Sequence, residues 1–225
     1  MAGAQAADPA HYLDDIKGEM KVQWPANRTI NLVFHGHSVP AGYFKTPVVN
    51  TFGSYPIQVL KEVKAKYPFA VINAINTAIG GENSVRGEKR FRRDVLIHQP
   101  DVIFIDYALN DRGVGLDAAR SAWEKMIRLA LKKQIKVILL TPSPDQRVDL
   151  FDDNTDLARH AQQIRNLAAK YHIGLADSYA AFRQAVRSGS NLADLMAQVN
   201  HPDEIGNGII AGEIMKFFGE VAGDQ

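Results

Sequence analysis

The chain has 225 residues, 46% of them hydrophobic and 23% charged, a globular composition that excludes collagen-like, disordered and membrane-spanning classes. Lys plus Arg total 26 against 25 Asp plus Glu, a formal net charge of +1, too balanced for a dedicated nucleic-acid binder. There is no cysteine, which removes disulfide scaffolds, thiol nucleophiles and thiolate metal sites while remaining compatible with reducing and oxidising compartments alike.

The opening stretch, MAGAQAADPAHYLDD, has neither the basic start nor the apolar run of a signal peptide. A cytoplasmic location is therefore the default expectation, with a processed secreted form left open. No segment approaches the roughly 20 apolar residues of a membrane span, and a monomer is the default oligomeric state. Residues 1–28 are expected to form an extension packed on a single domain over 29–225.

From there short apolar runs alternate with longer amphipathic ones. A first strand is predicted at Thr29–Phe34, followed by a helix near Tyr55–Lys66 and a second strand at Ala70–Ile75. A helix near Asn83–His98 leads to a third strand, Val102–Tyr107, and a helix near Leu116–Lys132 to a fourth, Ile135–Leu140. Then come a helix near Thr155–Tyr171, a weaker strand at Ile173–Ala176, and helices near Tyr179–Arg187 and Glu204–Val221. The strands are rich in β-branched residues and apolar on both faces, as strands covered on both sides must be. Such alternation predicts an α/β fold, a three-layer α/β/α sandwich around a five-stranded parallel sheet with right-handed crossovers.

Ligands of open parallel sheets collect at the carboxyl ends of the strands. The segments there are His35–Gly42, Asn76–Asn83, Ala108–Gly113 and Thr141–Asp145, all polar or Gly-rich. Near the C-terminus, Asn200-His-Pro is expected to open the last helix, with Pro202 in its first turn.

Together these segments resemble the blocks of the SGNH (GDSL-type) hydrolase superfamily, a flavodoxin-like fold. Gly36-His37-Ser38-Val39 stands where that family has Gly-Asp-Ser, Asn76–Gly81 supplies its functional glycine as Gly81, and Ala108-Leu-Asn110-Asp111 stands for Gly-x-Asn-Asp. His201-Pro202 is the last block, followed by Gly206 and Gly208. The resemblance implies an SGNH hydrolase domain over 29–225 and a serine nucleophile, Ser38. It further implies His201 as the base and an oxyanion hole made by Ser38 N–H, Gly81 N–H and the Asn110 amide. Chemically, a serine hydroxyl needs a neighbouring base to take its proton, and the tetrahedral oxyanion needs preorganised donors. Gly-x-Ser-x-Gly is absent around Ser38, which argues against an α/β-hydrolase nucleophile elbow.

Three positions depart from the family pattern. The acid expected three residues before the histidine is Gln198; its amide oxygen, or a backbone carbonyl, would have to accept from the imidazole. Asp194 and Asp203 are nearby carboxylates at the wrong spacing. His37 replaces the aspartate before the serine, and its i, i+2 spacing from His35 raises a zinc reading for which no third ligand has motif spacing. His37 is instead expected to shape the serine loop. Ala108 for glycine is a small-for-small change.

Tyr43, Phe44, Phe52 and Tyr55 follow the serine, either packing in the core or lining a sugar or acyl pocket. Arg86, Lys89, Arg90 and Arg93 recur at helical spacing and read as a solvated face, with anionic substrate binding as the alternative. The expectation is thus a carboxylic ester hydrolase needing no cofactor or metal. A short-chain acyl (acetyl) esterase on a carbohydrate or other small-molecule ester is the leading form. A lysophospholipase- or thioesterase-type lipolytic enzyme, or a binding module that retains the fold, are the alternatives.

Overall fold

The structure, a computed structural model, describes residues 5–219. Strand β1, Thr29–Gly36, is buried at almost every position from Ile30 onward. Strand β2 (Val71–Asn76) has half-exposed positions, while β3 (Val102–Asp106) is buried throughout. With β4 (Lys136–Leu140) and β5 (Gly174–Ala176) they pair in parallel in the order β2-β1-β3-β4-β5. This is the five-stranded parallel sheet expected from the sequence. The burial gradient explains the order, since the most apolar strand takes the centre and the least buried the edge.

Chain direction across the sheet reverses between β1 and β3. Gly36 lies opposite Asp106, so the chain leaves both strands at the same level, on either side of the crevice where this topology binds ligands.

Helices cover both faces. One core joins Leu13, Ile16 and Met20 around α1 (Asp14–Met20) to Val59 and Val63 of α2 (Tyr55–Lys66). The same core takes Phe182 of α7 (Ser178–Arg187) and Ile210 and Ile214 of α8 (Glu204–Met215). On the other face, Phe91 follows α3 (Ser84–Arg90) and packs with Trp123, Met126 and Ile127 of α5 (Leu116–Leu131) and Ile164 and Leu167 of α6 (Asp156–Tyr171). Each such fully buried apolar side chain contributes about 1.5–3 kcal/mol. The segment before β1 is tied down as well: Ala7 N–H donates to the Ile173 carbonyl at 3.0 Å, and the Tyr12 hydroxyl pairs with the Val137 backbone. Among the described residues no helix is long and apolar enough to cross a membrane.

Local signals account for the helix starts. Asn83, Thr155, Asp177 and Asp203 each accept from a backbone N–H in the first turn of α3, α6, α7 and α8, the N-cap arrangement. The structure departs from the predicted elements in four places. The helix predicted over Asn83–His98 widens into a π-turn at Phe91–Val95 and tightens at Leu96–His98, which keeps both Phe91 and Val95 in the core. A short helix α4, Ala108–Asp111, follows β3. A hairpin of β6 (Met196–Gln198) and β7 (His201–Pro202) precedes α8. Pro202 is therefore a strand residue and not the first turn of the last helix, which Asp203 caps. Gly206 lets α8 press onto this hairpin, since a Cβ there would sit 2.2 Å from the Leu195 carbonyl oxygen. The predicted end of that helix at Val221 lies outside the described residues.

Candidate active site

Where β1 ends, the chain turns sharply. Tyr43 N–H donates to the Ser38 carbonyl at 3.0 Å and Gly42 N–H to that of Val39 at 2.9 Å. Inside the turn the fully buried His37 ring accepts from Val39 N–H through Nδ1 at 3.2 Å. Its Nε2 lies 3.2 Å from Asp106 Oδ1 without hydrogen-bond alignment, and the other carboxylate oxygen accepts from the Tyr55 hydroxyl. Burial, with Asp106 as the second cause, raises the pKa of that hydroxyl well above its ordinary value. Ser38 sits on top of this packed base, 7% exposed.

The β6–β7 hairpin and the cap of α8 aim His201 back over the turn. Its Nε2 is 2.9 Å from Ser38 Oγ, within reach for proton transfer. On its other side Nδ1 is 2.7 Å from Gln198 Nε2 and 3.2 Å from the Phe44 carbonyl oxygen. Gln198 Oε1 accepts from Thr46 N–H at 3.0 Å and from Thr46 Oγ1 at 3.1 Å. Burial lowers the His201 pKa below its usual value; the Phe44 carbonyl opposes the shift and His37 adds to it. Asp203 is spent on capping α8, and Asp194 lies in a short turn, exposed.

Gly81 has φ +73°, a left-handed conformation that favours glycine. Among the described residues, the N–H groups of Ser38 and Gly81 donate to no protein acceptor. Asn110, on α4, donates through Nδ2 to the Glu82 carbonyl at 2.9 Å, tying α4 to the Gly81 loop. One hydrogen of that amide remains to be donated elsewhere. Ile79 N–H, donating to the Gly36 carbonyl at 3.0 Å, anchors the same loop to β1. All four expected site residues, Ser38, Gly81, Asn110 and His201, thus stand on segments joined at the β1/β3 crevice.

Beneath the Gly81 loop is a cluster that sequence reasoning missed. Arg90 Nε donates to both Glu82 oxygens at 2.9 Å, and Arg90 Nη2 reaches Glu82 and the Tyr107 hydroxyl. Tyr107 donates to Glu82 at 2.7 Å and meets His35 Nε2 at 3.1 Å. Burial, reinforced by Arg90, drops the His35 pKa to about 3. Arg90 is buried and so does not belong to a solvated face with Arg86, Lys89 and Arg93. A glutamate directly after Gly81, followed by an arginine at the buried end of the next helix, was the available signal. His35 and His37 do not converge. His35 contacts Thr77 and Gly87, His37 contacts Val39 and Asp106, and β1 has ended before His37. Among the described residues no three His, Asp or Glu side chains gather as a metal site. Of the aromatics, Tyr55 is core, Phe52 is 77% exposed, and the half-exposed Tyr43 ring lies 6.0 Å from the His201 ring.

Comparison with known proteins adds the family. No curated protein matches the sequence. The fold is similar to that of a catalytic mutant of Axe2, an acetylxylan esterase from Geobacillus stearothermophilus. The TM-score is 0.73 and the identity 20%, over 89% of this chain and 97% of that one. It is similar too to a two-domain esterase, CEX, active on acetylated mannans, with TM-score 0.73 and 20% identity over 96% of this chain and 55% of that one. At such identities the likeness is one of fold. The model of the GDSL-like Lipase/Acylhydrolase family matches residues 34–209, from inside β1 into α8, and so takes in every segment of the crevice. By that match the chain belongs to the GDSL-like lipase/acylhydrolase family and is a carboxylic ester hydrolase.

Proposed function

We propose that the protein is a serine esterase that removes short acyl groups, acetyl foremost, from carbohydrate. The observation that carries this reading is the 2.9 Å contact between Ser38 Oγ and His201 Nε2, set beside two main-chain N–H groups, of Ser38 and Gly81, that have no acceptor among the described residues. In this reading His201 takes the Ser38 proton as Oγ attacks the ester carbonyl. Ser38 N–H, Gly81 N–H and Asn110 Nδ2 hold the resulting oxyanion. Imidazolium then protonates the departing sugar oxygen, and water, activated by the same ring, hydrolyses the acyl-serine. The exposed ring of Tyr43 offers a flat face for a sugar ring beside the histidine. Xylan and mannan esters are substrates of the proteins whose fold this one shares.

Several exposed apolar residues follow the serine, among them Val48, Val49 and Phe52, and they favour a lipolytic reading in second place. A p-nitrophenyl ester series from acetyl to long chain, run beside acetylated xylo-oligosaccharide, separates the two. The acetyl reading expects the highest kcat/KM on acetyl esters, acetate release from the oligosaccharide, and loss of both in Ser38→Ala. A maximum on long chains would replace it with the lipolytic one.

A further inference from the structure

The position that supplies an acid in the family's usual pattern is filled here by Gln198, and its hydrogen bonding runs against the catalytic direction. Thr46 N–H is a main-chain donor and can do nothing but donate. It fixes Oε1 of Gln198 at 3.0 Å, and Thr46 Oγ1 points to the same oxygen at 3.1 Å. The amide oxygen is thereby turned away from the histidine, and the NH2 end is left facing His201 Nδ1 at 2.7 Å. An amide NH2 donates and has no lone pair to offer. His201 Nδ1 must then be the acceptor, and a neutral imidazole whose Nδ1 accepts carries its hydrogen on Nε2. That hydrogen points at Ser38 Oγ, 2.9 Å away. A general base needs the opposite arrangement, a bare Nε2 with the hydrogen on Nδ1.

Turning the amide over does not remove the conflict, because its NH2 would then face Thr46 N–H, donor against donor. Leaving the amide in place and putting the hydrogen on Nδ1 sets the same conflict at 2.7 Å. The Nε2–H form satisfies the Gln198 amide and both Thr46 donors, and leaves only the Phe44 carbonyl oxygen without a hydrogen from the ring. One acceptor stands ready for the other tautomer: the Phe44 carbonyl oxygen, 3.2 Å from Nδ1.

We propose that Gln198, clamped by Thr46, is a positioning residue that holds His201 in its Nε2–H tautomer at rest, and that the Phe44 carbonyl receives the Nδ1 hydrogen when the amide swings away. The exchange is balanced: the ring releases one N–H proton to water and takes one from water at the other nitrogen. Phe44 and Thr46 belong to one short segment beside Tyr43. The inference rests on the serine-esterase reading for its kinetic consequence but not for its structural one.

The test reads the tautomer first. In protein carrying 15N-labelled histidine, assigned with a His201→Gln variant, the resting ring is expected to show Nε2 protonated and Nδ1 bare. Protonation at Nδ1 overturns the proposal. Gln198→Met removes the donor and leaves the Phe44 carbonyl, so the proton is expected on Nδ1 and kcat to rise about 10-fold or more at nearly constant KM, since a wrong tautomer costs up to about 10⁴. A fall in kcat in the folded variant would mean that Gln198 had been accepting, and the proposal fails. Gln198→Glu covers the case in which the methionine variant does not fold. It keeps the side-chain length and both Thr46 contacts while exchanging the NH2 for an oxygen. The proton is expected to move to Nδ1, kcat to rise about 100-fold or more, and the acid limb to move upward because a carboxylate favours imidazolium. An unmoved tautomer in this variant overturns the proposal. Activity surviving in Ser38→Ala would instead sink the serine-esterase reading while leaving the tautomer result intact, so the two failures are distinguishable.

Discussion

The cluster of His35, Glu82, Arg90 and Tyr107 and the group of Ser38, Gln198 and His201 meet at the same end of the sheet, yet their hydrogen bonding differs. In the first, every charge has a partner: the guanidinium grips both carboxylate oxygens, the phenol bridges carboxylate and imidazole, and the histidine is kept neutral. In the second, the main-chain N–H groups of Ser38 and the neighbouring Gly81 donate to no acceptor among the described residues, and the His201 ring meets an amide NH2 where the proposed mechanism calls for an acceptor. Complete satisfaction makes a rigid frame, because any displacement strands a buried charge. Incomplete satisfaction is what a site needs, because the missing partner is the reacting group. The frame is built under the loop that bears Gly81, so rigidity is delivered to the segment that the proposed mechanism uses to hold the oxyanion.

Substitutions can pull the two apart. Ser38→Ala is expected to lower ester hydrolysis by about 10⁴-fold or more and to leave the urea midpoint almost unchanged. Glu82→Ala should do the reverse in stability: it takes the bidentate partner from the Arg90 guanidinium, 9% exposed, leaving it Asp94 at 3.5 Å, and is expected to cost up to about 3–5 kcal/mol in urea unfolding. If Glu82→Ala unfolds like the wild type, the cluster is not the frame described above.

How much of this was legible in the sequence follows from the range of each interaction. The five strands were readable because their residues are apolar on both faces, and the helix starts because a cap is local. The segments after the strands could be read together because a parallel sheet brings its carboxyl ends to one edge. The β6–β7 hairpin was not readable, since its strands are two and three residues long and carry no alternation. Nor was the burial of Arg90, because spacing defines a stripe but not what faces it, and Glu82 faces it only across a loop. The Thr46–Gln198 contact spans 152 positions. Sequence reasoning identified Gln198 as the departure and left both an amide oxygen and a backbone carbonyl open. Only the fixed Thr46 donor separates them.

Asn110→Ala joins the two regions. Its amide holds the Glu82 carbonyl with one hydrogen and is assigned to the oxyanion with the other. Loss of an oxyanion donor costs about 10²–10³ in kcat, so a decrease of that size with nearly constant KM is expected. Asn110→Asp, which keeps the shape and loses both hydrogens, should not restore it. A stability loss without a kcat loss would make Asn110 part of the frame alone.

The smallest expected effect per unit of perturbation is that of pH, where the regions differ through their histidines. Both are shifted downward by burial, but they report different things. His35 has a folded pKa of about 3 against about 6.5 in an unfolded chain. Between those values the unfolded state binds a proton that the folded state refuses. Its contribution to stability is therefore complete above pH 6.5 and is lost as pH falls towards 3, at up to about 1.4 kcal/mol per pH unit. In the proposed mechanism His201 is read out in activity and not in stability. Its lowered pKa keeps the ring neutral below pH 6.5, a condition that either tautomer needs before it can take a proton, and the acid limb of kcat/KM is expected there. His35→Gln should flatten the stability slope between pH 6.5 and 3 without moving that limb. Movement of the limb in His35→Gln would show that the frame and the site share a titration, and the separation drawn between them would fail.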